Sequence, residues 1–315
     1  MNRIAASIAA ARPAATPADL RHDGGRMAHR VSVVMVVYMT GEALAESLAC
    51  VLRDPLISEF VIVDNGSTSP EAACLKTFAE QDPRVVLVAG QGNVGFARAA
   101  NLGAQRATGE VLVFLNPDAF LQDGCVAELV DELDGRPSPC IVGGRVLNAD
   151  LTEQRGARRG DITPMTALMS LSRLAQVPAW RRYEVHWEGD ITPDAVAAVP
   201  TISGACLAMR RADFLSLKGF DEKYFLHVED VDLCWRVRQA GGEVLFHPRA
   251  EVVHLGHTSL TSPIKVEFHK GVGLARYFRK RAVGGRETAL AWLLAPLILA
   301  TAVVRPLMWR FKGRG

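Results

Sequence analysis

The stretch Val111-Leu-Val-Phe-Leu-Asn-Pro-Asp118 decides how this chain is read. Five apolar residues bounded by turn residues predict a strand buried on both faces of a parallel sheet. Pro117 cannot donate to a ladder, so the strand stops at Asn116. Asp118 then lies just past the carboxyl end of a central strand, the edge where open α/β sheets bind ligands. A carboxylate there can hold a divalent cation, and through it a diphosphate. A solvated turn aspartate has the same local sequence, so its company along the chain must decide.

Upstream, Val31 to Tyr38 is an apolar, β-branched run and opens the fold as a first strand. Glu42 to Leu52 has helical spacing. Phe60 to Val63 is a second strand, ending in Asp64-Asn-Gly-Ser-Thr68, turn chemistry with a helix start at Pro70. Val85 to Val88 is a third strand, followed by a helix from Val94 to Ala107 that Gly109 closes. Downstream come a helix from Leu121 to Leu133 and a strand from Cys140 to Val146. Strands alternating with helices at this spacing predict an α/β fold with a doubly wound, mostly parallel sheet.

Residues 148–195 break the alternation. They are rich in Arg, Pro and Thr, with one short helical piece near Met165 to Leu174, and are expected to carry acceptor-side loops. Thr201 to Met209 reads as a strand. Glu229-Asp230-Val-Asp232 opens a helix that Gly241-Gly242 stops. Val244 to Phe246 and Glu251 to His254 read as two short strands, and Ile264 to Arg281 as a basic amphipathic helix.

With 315 residues and a net charge of +2, the chain accommodates one large α/β domain and offers no argument for nucleic acid as a partner. Its six cysteines are scattered without a C-x-x-C pair and read as buried thiols in a reducing compartment. Residues 1–30 lack an apolar signal core and read as a disordered lead-in, with a targeting peptide as the alternative. The run Ala289 to Val304 is too short and interrupted for a membrane span, which needs roughly 20 apolar residues. Trp292, Trp309, Arg305, Arg310, Lys312 and Arg314 flank it, which suits an interfacial helix on an anionic membrane surface. A helix docked on the core is the other reading.

Gly90-Gln-Gly92-Asn-Val-Gly95 is a literal G-x-G-x-x-G between a predicted strand and helix, the context of a dinucleotide fingerprint. An NAD-dependent oxidoreductase is therefore weighed. Two complete strand-helix units upstream would go unexplained, and neither Glu110 nor Asp118 stands where a ribose-binding acid belongs.

Acidic groups thus punctuate three element ends: Asp64, Asp118 and the Glu229 cluster. Singly, Asp64 fits an Asx-turn and the Glu229 cluster fits a helix cap. In order, Val-Ser-Val-Val-x-x-x-Tyr38, Val-Asp-Asn-Gly-Ser-Thr68, Asn93-Val-Gly-Phe-Ala-x-Ala-x-Asn101-x-Gly103, Leu-Asn-Pro-Asp118, Ser-Gly-Ala205, Gly-Phe-Asp221, Glu-Asp-Val-Asp232-Leu-Cys-Trp-Arg and His254 resemble the family 2 glycosyltransferases. The likeness is nearest to rhamnosyltransferase-like members that build bacterial cell-surface glycans, and it covers about residues 31–260.

The resemblance implies a GT-A-like domain at 31–260 with a helical, membrane-associating appendage at 261–315. It implies that Tyr38, Asp64 and Asn65 contact the nucleotide, and that Asn93, Arg98 and Asn101 line the donor side. Asp118 matches the last acid of a metal-binding Asp-x-Asp, with Asn116 in place of the first acid. His254 matches a late metal-binding histidine, with His257 close by, and Asp230 matches the general base. Met39 stands where the family often has Asn. A divalent metal (Mg²⁺ or Mn²⁺), a nucleoside-diphosphate sugar and a polyprenyl-linked or polysaccharide acceptor follow as expected partners, at the cytoplasmic face of the membrane. The residue types fit inverting transfer: a base for the acceptor hydroxyl and a cation for the leaving diphosphate. A non-catalytic nucleotide- or glycan-binding module on the same fold is a further alternative. Trp235-Arg236 read either as a diphosphate contact or as packing beside a solvated arginine.

Overall fold

The computed structural model describes residues 29–171, 177–256, 258–259 and 261–312. The lead-in up to residue 28, His257, Arg314 and the side chains of Arg305, Trp309, Arg310 and Lys312 lie outside the described set.

In chain order the elements are β1 (Val31–Val37), α1 (Ala43–Arg53), β2 (Ile57–Asp64), α2 (Ser69–Gln81), β3 (Val85–Val88), α3 (Phe96–Arg106), β4 (Val111–Leu115), β5 (Ala119–Leu121), α4 (Cys125–Asp134) and β6 (Cys140–Leu147). Then follow β7 (Arg158–Arg159), α5 (Pro164–Leu171), a 3₁₀ turn (Pro178–Tyr183), β8 (Ala197–Ala198), β9 (Thr201–Ile202), β10 (Cys206–Arg210) and α6 (Arg211–Ser216). The chain ends with α7 (Glu229–Gln239), β11 (Glu243–His254), α8 (Pro263–Arg281) and α9 (Gly284–Lys312).

The central sheet runs β3-β2-β1-β4-β10-β6-β11-β5. Its first four strands are parallel, and so are β6 and β11. Side chains alternate across each strand. Val33 and Met35 therefore join the core under α1 and α4, while Val34 and Val36 join the core under α3, α6 and α7. Both faces are covered, as apolar runs such as Val111 to Leu115 require.

Three departures from the sequence reading shape the site. First, Thr201 to Met209 is two strands. Thr201-Ile202 pairs with Arg158-Arg159 in a small ribbon, while Cys206–Arg210 inserts antiparallel between β4 and β6. Second, the two late strands are one, β11, with a register shift between His247 and Glu251 where Pro248 cannot donate. Third, a short strand, β5, follows Asp118 directly and delays the next helix to Cys125.

Helix α8 is anchored by charge on α7 and on the segments that carry Asp161 and Asp221. Arg276 and Lys280 pair with Asp221, Lys280 also with Asp232, and Arg281 with Asp161. A Cβ on Gly271 would stand 2.7 Å from Ala302 Cβ, so α8 and α9 touch there. Ala291, Leu294, Ala295, Ile298 and Ala302 face inward. Trp292, Leu293, Leu297 and Val304 remain exposed, with Arg279 stacked over Trp292 at 4.8 Å. The run thus docks one face on the protein and leaves the other exposed. Among the described residues no helix is long and apolar enough to cross a membrane. All six cysteines are free, and five are buried.

Candidate active site

Strand β11 pairs with β5 so that His254 lies opposite Ala119, beside Asp118. Gln154 donates from Nε2 to the His254 carbonyl at 2.9 Å and to Asn148 Oδ1 at 3.2 Å, which turns its Oε1 toward His254 Nδ1 at 2.6 Å. An amide oxygen only accepts, so Nδ1 carries a proton. In the neutral ring, Nε2 is then a lone pair. Asn116 Nδ2 donates to it at 3.2 Å, but Asp118 Oδ1, 3.1 Å away, has nothing to donate when ionised. Two acceptors that close call for a cation, either a proton on Nε2 or a metal ion.

Burial pushes the Asp118 carboxyl up, but the hydrogen bond and charge of His254 and the Thr258 hydroxyl at 2.9 Å outweigh it, and the group is held below the ordinary range. One anionic oxygen and one imidazole nitrogen, oriented from behind by an amide, fit a divalent cation. Among the described residues, no group of three or more His, Cys, Asp and Glu could hold a metal.

Asp230 reaches the same edge through the inserted strand. Asn116 N donates to the Ala205 carbonyl at 3.0 Å, and Gly204 N donates to Asp230 Oδ2 at 3.1 Å. A Cβ on Gly204 would lie 3.3 Å from Asp230 Cβ, so glycine permits this close approach. Asp230 Oδ1 accepts from Val231 N at 2.8 Å, and Oδ2 accepts from Arg159 Nη2 at 2.6 Å. Burial raises this carboxyl, but the Arg159 charge and the two backbone amides hold it ionised, below the ordinary range.

Glu229 beside it behaves oppositely. Burial, then the Asp230 charge, push it up to about 8. The folded state therefore holds a proton that the unfolded chain releases near pH 4.5, and stability falls as pH rises from about 4.5 to about 8. The slope is at most about 1.4 kcal/mol per pH unit. Glu229→Gln mimics the protonated form. Thermal melts at pH 5.5 and 7.5 are expected to differ less in this variant than in the wild type, and an unchanged pH dependence would refute the assignment.

The donor-side residues divide. Asp64 Oδ1 accepts from Gly66 N and Ser67 N, so the Asx-turn is real, and its Oδ2 makes no hydrogen bond among the described residues. The Tyr38 ring packs against Gly66, where a Cβ would stand 3.3 Å away. Asn65 is buried. It accepts from Val94 N at 3.0 Å and donates to Asn93 Oδ1 at 3.2 Å, so it positions the 93–95 loop. Arg98 is exposed and has no partner among the described residues. Asn101 is not turned to the donor side: its amide clamps both backbone groups of Phe220, each at 2.9 Å. The solvated reading of Arg236 is likewise replaced, because it holds Asp232, the Leu217 carbonyl and the Gly219 carbonyl. Trp235 meets Tyr277 edge-on. Sequence reading missed Gln154, Arg159 and Thr258. The basic run Arg155 to Arg159 in an otherwise irregular stretch was the available signal.

The glycine motif does not serve a dinucleotide. The first amide of α3, Phe96 N, donates to the Phe225 carbonyl at 2.8 Å, and a Cβ on Gly95 would strike that carbonyl at 2.7 Å. The helix terminus that a pyrophosphate needs is filled by the protein's own backbone.

A doubly wound sheet with an acid and a histidine at one edge, and a second acid linked to them through Gly204, Ala205 and Asn116, suits a nucleotide-sugar glycosyltransferase of the GT-A type. The sequence model described as Glycosyl transferase family 2 matches residues 32–214, and the chain belongs to that family as a rhamnosyltransferase-like member. It is 30% identical over 284 residues to the N-acetylglucosaminyl-diphospho-decaprenol L-rhamnosyltransferase of Mycobacterium tuberculosis, covering 83% of this chain and 88% of that one. It is 30% identical over 225 residues to the O-antigen biosynthesis protein RfbC of Myxococcus xanthus, covering 67% of this chain and 16% of that one. In fold it matches the mannosyltransferase PcManGT of Pyrobaculum calidifontis in complex with GDP-Man and Mn²⁺, with a TM-score of 0.57 and 20% identity over 88% of this chain and 73% of that one.

Proposed function

We propose that this protein transfers a sugar, rhamnose in the favoured case, from a nucleoside diphosphate to a hydroxyl of a lipid-linked glycan, with inversion. The observation that carries the reading is the hydrogen-bonded path from Asp230 through Gly204, Ala205 and Asn116 to His254 and Asp118. It holds a candidate base and a candidate metal site at fixed separation on one edge. Asp230 takes the proton of the acceptor hydroxyl as that oxygen bonds to the anomeric carbon, and the bond to the diphosphate breaks with its electron pair. Asp118 and His254 would hold the divalent cation, which neutralises charge on the departing diphosphate when bound. Asp64 and Tyr38 meet the nucleoside. Asn65 and Asn93 set the loop beneath it.

Thermal melts with dTDP, UDP, GDP and NAD, each with and without Mg²⁺ or Mn²⁺, test this. A ligand at a hundred times its dissociation constant adds about 2.7 kcal/mol. A metal-dependent rise with one nucleoside diphosphate is expected, abolished in Asp118→Asn. A rise with NAD alone would overturn the reading.

The exposed stripe of α9, Trp292, Leu293, Leu297 and Val304, with Arg279 beside it, suits the anionic, cytoplasmic face of a membrane, where a polyprenyl-linked acceptor would reside. The lipid-linked acceptor in the name of the mycobacterial relative supports that setting. Co-sedimentation with anionic vesicles is expected, weakened by changing Leu293 and Leu297 to Ser. Binding unaffected by the double change would refute the stripe as the docking face.

A further inference from the structure

Arg159 reaches Asp230 from β7, and the same residue forms an antiparallel bridge with His186. Three buried polar atoms around this guanidinium have no partner among the described residues: Arg159 Nε, His186 Nδ1 and Glu229 Oε2. Folded proteins leave few such atoms, and each calls for an explanation. A molecule bound at this side chain would complete the hydrogen bonding of all three.

The place is cationic. Burial, then the charges of Arg155, Arg159 and Lys270, push His186 down to about 4, so the imidazole is neutral and sits in a positive field. Glu184 opposes that field only in part, because its carboxylate is turned to the backbone amides of Val185 and His186. Glu229 is protonated up to about 8 and adds no charge at neutral pH. Arg155 is exposed and makes no hydrogen bond or ion pair among the described residues. Arg159 spends Nη2 on Asp230 and on the Ile202 carbonyl, and its Nη1 makes no hydrogen bond among the described residues. A guanidinium in this state can still take a phosphate oxygen.

We propose that Arg159 and Arg155 seat the diphosphate of a lipid-linked acceptor, with Arg159 shared between that diphosphate and Asp230. The inference rests on the transferase reading above and assigns the residues that recognise its acceptor. The donor's diphosphate belongs with Asp118 and His254, so the two anions have separate seats. Asp230 Oδ2 already accepts from Arg159 and Gly204, so the acceptor hydroxyl would meet Oδ1, which accepts only from Val231 N. An anion on Arg159 also draws its charge away from Asp230. The carboxylate then becomes a stronger base only once an acceptor is seated, which disfavours transfer to water.

The test is calorimetric titration of the full chain with farnesyl diphosphate, a short polyprenyl diphosphate. Farnesol serves as the lipid-only arm and inorganic diphosphate as the head-group arm. Arg159→Gln, Arg159→Lys and Arg155→Gln are compared with wild type, and each is also titrated with the nucleoside diphosphate and Mg²⁺. The expected result is binding of farnesyl diphosphate that weakens about tenfold or more in each Gln variant and less in Arg159→Lys, with nucleotide affinity unchanged. Farnesol binding as tightly as the diphosphate, or Gln variants that bind farnesyl diphosphate like wild type, would overturn the seat and leave the transferase intact. Nucleotide affinity falling in parallel would move these arginines to the donor and overturn the seat as well. Wild type binding no nucleoside diphosphate would sink the transferase reading itself. Arg155 is exposed, so its variant folds and keeps the test decisive even if Arg159→Gln is destabilised.

Discussion

Asp230→Asn is expected to lower kcat by roughly 10²–10⁴ while leaving nucleotide affinity unchanged. The amide has the shape of the carboxylate but cannot accept the hydroxyl proton. It also disturbs its surroundings in a predictable way. Arg159 Nη2, Gly204 N and Val231 N all donate to this carboxylate, so the amide's NH₂ must face at least one donor. A stability loss of about 1–3 kcal/mol follows, short of unfolding. Single-turnover transfer, a nucleotide titration and a thermal melt on the same variant separate the effects. Turnover within a few fold of wild type would remove Asp230 from the chemistry. Because Arg159 and the backbone amides hold Asp230 ionised, activity is expected to stay flat with falling pH until below the ordinary carboxylate range. An acid limb at pH 6 to 7 would point to another base.

Asp232→Ala is expected to produce the largest loss of stability. Asp232 is 0% exposed and ties Arg236 Nε at 2.7 Å, Lys280 Nζ at 2.7 Å and the Tyr224 hydroxyl at 3.2 Å. Removing one partner of a buried ion pair costs about 3–5 kcal/mol, because the other charge stays behind. Here the lower end is expected. Arg236 keeps two carbonyls, at Leu217 and Gly219, and Lys280 keeps Asp221 at 2.9 Å. For a chain of 315 residues each kcal/mol moves the melt by about 1.5 °C, so the melt should fall by roughly 5 °C. Asp232 also joins α7, which carries Asp230, to α8, so the C-terminal hairpin should become the first site of limited proteolysis. A melt within 2 °C of wild type would show that the cluster contributes little.

The sheet's parallel half was legible because its signals are local. β-Branched runs such as Val31 to Val37, ended by turn residues and followed by helical spacing, name strands before any partner is known. The acids at element ends, Asp118 and Asp230, were legible only through the order of motifs along the chain, because each taken singly reads as a turn or cap residue. The divided fate of Asn101 and Arg236 was not. An amide or guanidinium on a helix reads the same whether it meets a ligand or, as here, the 217–220 loop, and only the packing of that loop on α3 and α7 decides it.

The amino-acid sequence by itself determined the α/β class, the strand ends where chemistry gathers and the family, since these rest on periodicity, turn chemistry and ordered motifs. Only the tertiary structure decided which groups meet. β10 enters antiparallel, so residues far apart in the chain place Gly204 and Ala205 beside Asn116, and Asp230 within reach of the edge that holds Asp118. The irregular stretch, silent in periodicity, supplies Gln154 behind His254 and Arg159 against Asp230. Long-range contacts of that kind leave no period in the sequence, because they depend on how separate loops return to one edge of the sheet.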